Sequence, residues 1–244
     1  DAVTVLKHWL ESGITGLRIF TTGSNMGGQQ LEILDDPRSF AVWEYAQQID
    51  LPICLQMQAK ALPQVEMLAQ RFPRVRILLD HLARPDLSDG PPYAKAASLW
   101  ALARFPNIYL KASPHNFAAA KAGPATPASF FRRVVDEFGA QRIFWGSNFP
   151  AAEGTLAELL AQARANFATL SADERSVSVS SIRRMNVPPW PRAYAHGNSA
   201  ERMLPRCRKP VGLGAKRVRT DTVILRMQGP QVYRTVLSAT VMLV

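Results

Sequence analysis

An alternation constrains this chain more than any other feature: five short apolar runs separated by segments whose apolar residues recur at helical spacing. GLRIF (16–20), LPICLQM (51–57), RVRILLDH (74–81), NIYLKAS (107–113) and RIFWGSNFP (142–150) read as strands, and LPICLQM is apolar enough to be covered on both faces. A first stripe, Val5, Leu6, Trp9 and Leu10, closes at Gly13, and Val42, Ala46 and Ile49 follow the Asp36-Pro37 cap. Pro63 opens the stripe Val65, Leu68, Ala69 and Phe72, and a shorter one runs through Leu99, Leu102 and Ala103. Phe130, Phe131, Val134, Val135 and Phe138 stop at Gly139, and the capping box Thr155–Glu158 opens Leu156, Leu159, Leu160, Ala163 and Phe167. A helix between two strands is a crossover, and crossovers mean parallel pairing. The expectation is an α/β fold whose chemistry lies at the carboxyl ends of its strands. Polar residues fall in those places: Arg18 in the first strand, Asp80 and His81 ending the third, Lys111 in the fourth, Ser147 and Asn148 ending the fifth.

Composition narrows the function classes. A chain of 244 residues, 47% hydrophobic and 20% charged, can bury a sizeable core and is not a disordered chain. No run reaches ~18 apolar residues, so neither a transmembrane helix nor a membrane partner is expected. Two cysteines, Cys54 and Cys207, make no disulfide framework and suggest a reducing compartment. No secretory leader pattern opens the chain, and a cytoplasmic location is expected. The net charge of +10 is lopsided: residues 1–175 balance 17 Lys+Arg with 17 Asp+Glu, whereas residues 176–244 set 12 Lys+Arg against Glu201 and Asp221. Those basic residues are scattered on no recognisable nucleic-acid motif, so nucleic acid is not the expected partner. HExxH, CxxC, GxGxxG and GxxxxGK[ST] are all absent, which removes the self-contained metal and phosphate-loop motifs.

Four strand segments carry a more specific pattern: Gly16-Leu17-Arg18, Asp80-His81-Leu82-Ala83-Arg84-Pro85, Asn107-Ile108-Tyr109-Leu110-Lys111-Ala112-Ser113 and Gly146-Ser147-Asn148-Phe149-Pro150. In order and spacing this resembles the amidohydrolase-related family of TIM-barrel hydrolases, which includes 2-pyrone-4,6-dicarboxylate lactonase and fuconolactonase-like enzymes. The family pattern is a GxR strand, Asp-His-Leu-x-x-Pro, Asn-(Val/Ile)-Tyr-x-Lys-x-Ser and Gly-Ser-Asp-Trp-Pro. The resemblance covers residues 1–175 and implies a partial (β/α)8 barrel of about five β/α units, with an irregular basic tail over 176–244. It implies hydrolysis of a small cyclic ester (lactone) or related acidic molecule, with His81 and Asn148 as catalytic candidates and Arg18 and Lys111 holding substrate. It also implies a divalent metal, zinc or manganese, with His81 as the candidate ligand. Two alternatives stay open: a metal-dependent decarboxylase of the same superfamily, and a non-catalytic remnant with a basic, nucleic-acid-associating tail. Three departures bear on the choice. The family's opening His-x-His strand is not found, which by the resemblance places Asp1 about three strands inside the barrel. Asn148 stands where the family has an aspartate. Beyond Arg175 a second capping box, Ser171–Glu174, is followed by SVSVSSIRR without a helical stripe, as in an out-of-frame or non-family ending.

Each candidate has a chemical and a plain structural reading. His81 would polarise a carbonyl or hold a metal, or would be a strand-end histidine bonded to a loop carbonyl. The Asn148 amide accepts no proton, so general-base catalysis there is lost at a cost of ~10²–10⁴-fold, and hydrolysis by this chain is expected to be negligible. That amide can still orient water, donate to an oxyanion or cap the loop before Pro150. Arg18 would fork onto a substrate carboxylate or pair with a nearby acid, and Lys111 has the same two readings. His115 reads as a loop histidine and His8, beside Trp9, as structural. Arg18, His81, Lys111 and Asn148 are expected on one face of the sheet.

Overall fold

The structure is a computed structural model that describes residues 1–21, 33–149, 151–179, 220–227 and 235–242. Five parallel strands, β1 (Leu17–Phe20), β2 (Ile53–Gln56), β3 (Ile77–Asp80), β4 (Ile108–Ala112) and β5 (Ile143–Trp145), lie side by side in chain order. Their register is level: Leu17 faces Ile53, Ile53 faces Ile77, and Ile77 faces Ile108. Strand periodicity then sorts the side chains onto two faces. Leu17, Ile19, Ile53, Leu55, Ile77, Leu79, Ile108, Leu110 and Ile143 join the main core with the helices, each burial contributing ~1.5–3 kcal/mol. Arg18, Cys54, Gln56, Asp80, Tyr109, Lys111 and Phe144 alternate with them on the opposite face, where Leu78 and Phe144 pack with Cys54 and Tyr109.

The connecting helices form where the stripes predict them. Helix α1 (Ala2–Glu11) precedes β1, and the Asp1 carboxylate accepts the Thr4 N–H at 2.9 Å. Helix α2 (Phe40–Gln48) follows a 3₁₀ turn, Pro37–Ser39, capped by Asp36. Helix α3 (Leu62–Arg71) leads to β3, and α4 (Ala97–Ala101) is a short helix between two 3₁₀ turns. Helix α5 (Pro114–Ala119) follows β4 directly, and α6 (Pro127–Phe138) ends at Gly139, whose φ of 76° suits a residue without a Cβ. Helix α7 (Leu156–Asn166) has both halves of its capping box, the Glu158 carboxylate accepting from the Thr155 N–H at 2.6 Å and the Thr155 hydroxyl from the Glu158 N–H at 3.3 Å. Phe117, Phe131 and Phe167 meet edge to face at 4.8–5.4 Å and lock α5, α6 and the end of α7 together. Two polar staples fix the strand entries. The Asn107 amide donates to the carbonyls of Ala69, Phe72 and Val75, and the Arg142 guanidinium to those of Ala103, Phe105 and Phe138.

Two expectations for the later residues need correction. The second capping box does nucleate a helix, α8 (Ala172–Val179), and Arg132 of α6 reaches Glu174 with two hydrogen bonds of 2.9 and 3.1 Å. The cap and this ion pair outweigh the poor helix propensity of SVSV over two turns. The tail is not irregular throughout: β6 (Thr220–Met227) and β7 (Thr235–Met242) pair antiparallel, and β7 pairs with the free edge of β1 through Ile19 and Leu237. Both segments carry Val and Thr, which favour strands, and the β1 edge offers unpaired backbone groups to template them. Residues 180–219, 228–234 and 243–244 lie outside the described residues, so the expectation for the tail is not addressed there. No helix among the described residues is long and apolar enough to cross a membrane.

Candidate active site at the strand ends

Asp80 is the centre of the arrangement. It ends β3, is fully buried, and is clamped between two cations: Arg18 from β1, two strands away, and Lys111 from β4, the neighbouring strand. The Arg18 guanidinium also donates to Gln56 Oε1, at the end of β2, at 3.0 Å. Burial works against the Asp80 charge, but the Lys111 ammonium and the Arg18 guanidinium outweigh it and hold the carboxyl at about 2. Burial and the Asp80 charge together push the neighbouring Cys54 thiol up to about 11. The stem of Lys111 lies over Gly146 so closely that a Cβ there would sit 2.8 Å from Lys111 Cδ, which explains the glycine just past β5.

Immediately after Asp80 the chain makes an uncommon turn. His81, Leu82, Ala83 and Arg84 have φ values of 54°, 51°, 56° and 53°, four consecutive left-handed residues with no glycine. Each costs ~1–2 kcal/mol relative to right-handed backbone, so the turn persists only because its surroundings over-determine it. His81, Leu82 and Ala83 are all buried, and the Asn116 amide of α5 donates to the His81 carbonyl at 2.8 Å. The turn places the His81 ring at the strand end, with Nδ1 2.6 Å from Ser113 Oγ and Nε2 3.9 Å from Asp80 Oδ2. Burial drives the imidazole down to about 4, the Asp80 carboxylate opposing only in part, so His81 is neutral at physiological pH.

His115 and Asn148 complete the group. The His115 ring meets the His81 ring edge to face at 5.0 Å, and its Nε2 lies 3.5 Å from the Asn148 amide nitrogen. Burial, helped by the Arg84 charge, also lowers the His115 imidazole. Asn148 sits at φ 55°, a conformation that asparagine tolerates better than most residues. One connected set of contacts therefore runs Arg18–Asp80–Lys111, on to His81, across to His115 and ends at Asn148. Arg18 and Lys111 are engaged by Asp80 rather than standing as free forks. His115, read as a loop histidine, lies at the N-terminal end of α5 beside His81. Asp80 and Ser113 were read from the sequence within motifs but given no role, and Gln56 and Asn116 are members that sequence reading leaves out. For Asp80 the signal was present, since a charged residue ending a buried strand needs partners.

The donor set does not fit a divalent cation. Among the described residues no group of three or more His, Cys, Asp or Glu side chains is placed to hold a metal ion. Asp80, the carboxylate beside His81 among the described residues, is already paired with Arg18 and Lys111.

Comparison with known proteins agrees with the geometry. The amidohydrolase family model matches residues 1–176. L-fucono-1,5-lactonase of Burkholderia ambifaria is 34% identical over 105 residues, covering 41% of this chain and 35% of that protein, so the match spans about a third of the relative's length. Among solved structures, the Pseudomonas putida protein assigned as a 2-pyrone-4,6-dicarboxylic acid hydrolase has a TM-score of 0.59 at 22% identity, over 77% of this chain and 67% of that one. An amidohydrolase from Burkholderia multivorans with bound zinc has a TM-score of 0.50 at 21% identity, over 68% of this chain and 67% of that one. At these identities the structural likeness is one of fold, and the five β/α units are those of a partial (β/α)8 barrel. With its first 176 residues matched and its charged residues gathered at the carboxyl ends of parallel strands, the chain belongs to the amidohydrolase family.

Proposed function

We propose that this chain hydrolyses a small cyclic ester carrying a carboxylate, bound at the carboxyl ends of β1–β5, with residues 1–175 as the catalytic unit and 176–244 as a separate segment. The observation that carries the reading is the Asp80 clamp: two cations against one buried carboxylate leave a net positive floor of low dielectric, where an anionic ligand is favoured. Arg18 Nε is buried without a hydrogen-bond partner among the described residues and is a donor left over for such a ligand. In the reaction water attacks the ring carbonyl, the C–O bond to the ring oxygen breaks, and a hydroxy acid results. The attacking water must lose a proton, which the Asn148 amide cannot take but a neutral imidazole, His81 or His115, can. Asn148 then orients the water. An imidazole as acidic as His81 is a weak base, so turnover is slow. No step runs through a metal, because the described side chains do not supply a site for one. The scarcity of cysteine fits a reducing, cytoplasmic setting for such an enzyme.

The test is a pH-indicator assay of the purified chain on carboxylated lactones, uncharged lactones and dihydroxybenzoic acids. Slow hydrolysis confined to the carboxylated lactones, falling ~10²-fold or more in His81→Ala, is the expected outcome. Carbon dioxide release from the aromatic acids would replace the reading with a decarboxylase. Neither binding nor turnover of any compound would leave the remnant reading.

A further inference from the structure

The hydrogen bonds behind His81 have a direction, and that direction decides where the ring proton sits. The Asn116 amide is oriented at both ends: Nδ2 lies 2.8 Å from the His81 carbonyl, which only accepts, and Oδ1 lies 3.0 Å from the Ser113 backbone N–H, which only donates. Oδ1 also faces Ser113 Oγ at 3.1 Å, a contact that is attractive only when the hydroxyl donates. The single Ser113 hydroxyl proton is therefore committed to Asn116, and Oγ presents a lone pair to His81 Nδ1 at 2.6 Å. We infer that Ser113 and Asn116 are positioning residues that hold His81 with its proton on Nδ1 and turn the Nε2 lone pair toward the strand-end site. The opposite arrangement would face two oxygens at 3.1 Å with no proton between them. Ser113, Asn116 and His81 are 0%, 2% and 2% exposed, so water does not relieve such a contact, and the hydroxyl–amide hydrogen bond it forfeits is worth ~0.5–1.5 kcal/mol. Among the described residues no competing acceptor holds a proton on Nε2, since Asp80 Oδ2 stands 3.9 Å away, beyond hydrogen-bond reach. The same Asn116 amide ties the left-handed turn, so backbone shape and ring protonation are set by one side chain.

The consequence, a lone pair ready to accept a proton from water, rests on the proposed function; the tautomer itself does not. The test therefore uses no substrate: a two-bond ¹H–¹⁵N correlation spectrum of the full chain with ¹⁵N-labelled histidine at pH 7, the His81 signals assigned by their loss in His81→Gln. The expected pattern is a protonated Nδ1 and an unprotonated Nε2. Ser113→Ala removes the acceptor and is expected to shift the population toward the Nε2–H form. Asn116→Asp keeps an acceptor for the hydroxyl and is expected to retain Nδ1–H. An Nε2–H form in the unmodified chain overturns the inference, as does an unchanged pattern in folded Ser113→Ala or loss of Nδ1–H in folded Asn116→Asp. If Ser113→Ala fails to fold, the unmodified chain and Asn116→Asp still decide. Absence of lactone turnover with the expected tautomer would count against the proposed function alone, and turnover with the other tautomer would count against this inference alone.

Discussion

Asp80 and His81 are adjacent, both buried, and both held away from their ordinary titration ranges, so at the scale of single residues acid is the sensitive probe. His81 ordinarily titrates near 6.5 and in the folded chain near 4. Below the ordinary value the unfolded chain takes up a proton that the folded chain refuses, so stability present above pH 6.5 is lost as pH falls toward 4. Asp80, at about 2 against an ordinary 3.8, continues the loss below that. Each group contributes a slope approaching ~1.4 kcal/mol per pH unit inside its window. Urea midpoints at pH 7, 5 and 4 are expected to fall for the unmodified chain and to fall less steeply for His81→Gln; equal slopes would show that His81 is not held neutral by the fold. Of the site, His81, Lys111 and Asn148 were legible as types at or just past strand ends, and Arg18 as a type within β1, because strand position follows from periodicity alone. What Arg18 does was not, since its partner lies two strands away and about sixty positions on. Ser113 was legible only as the last residue of the Asn-Ile-Tyr-x-Lys-x-Ser pattern, without a role, and Asn116 not at all, because their meaning lies in hydrogen-bond direction rather than in residue type.

The turn between β3 and Pro85 is the element in which local preference yields most to its surroundings. Nothing in HLAR announces four left-handed residues, whereas caps such as Thr155–Glu158 and stops such as Gly139 are local and were read directly. Helix α5 was missed for the opposite reason: six residues opening with Pro114 are too short to show a stripe. A substitution separates the left-handed turn from ordinary helix. Ala83→Gly removes a Cβ held at φ 56°, a relief of ~1–2 kcal/mol, while loosening the unfolded chain by ~0.4–1 kcal/mol. The net effect is expected to lie near zero or to stabilise by up to about 1 kcal/mol, whereas Ala69→Gly, buried in the last turn of α3, is expected to cost ~1 kcal/mol or more. Denaturant unfolding of the two variants checks this. A loss above ~2 kcal/mol for Ala83→Gly would show that packing of the methyl group, and not relief of backbone strain, governs that position.

Across the whole molecule, β1 is the join between the parallel strands and the antiparallel pair β7–β6. The Leu17 and Thr21 amides point to β2, donating to the carbonyls of Pro52 at 3.0 Å and Gln56 at 3.1 Å, so the peptide groups of Arg18 and Phe20 face β7. Truncation after Val179 is expected to speed hydrogen exchange at Arg18 and Phe20 on the order of tenfold or more while Leu17 and Ile19 stay protected. Unchanged exchange at all four would mean that β7 does not protect this edge. The Asp80 clamp has a further consequence for how the sheet assembles. A carboxylate buried without its cations costs several kcal/mol, and here one cation arrives with β1 and the other with β4. A nucleus of β2 and β3 alone, or a sheet in which β1 docks one residue out of register, lacks both or one of these cations at Asp80 and is disfavoured. The charged floor thus acts as a proofreader of assembly: it penalises half-built sheets and makes the docking of four β/α units an all-or-none event.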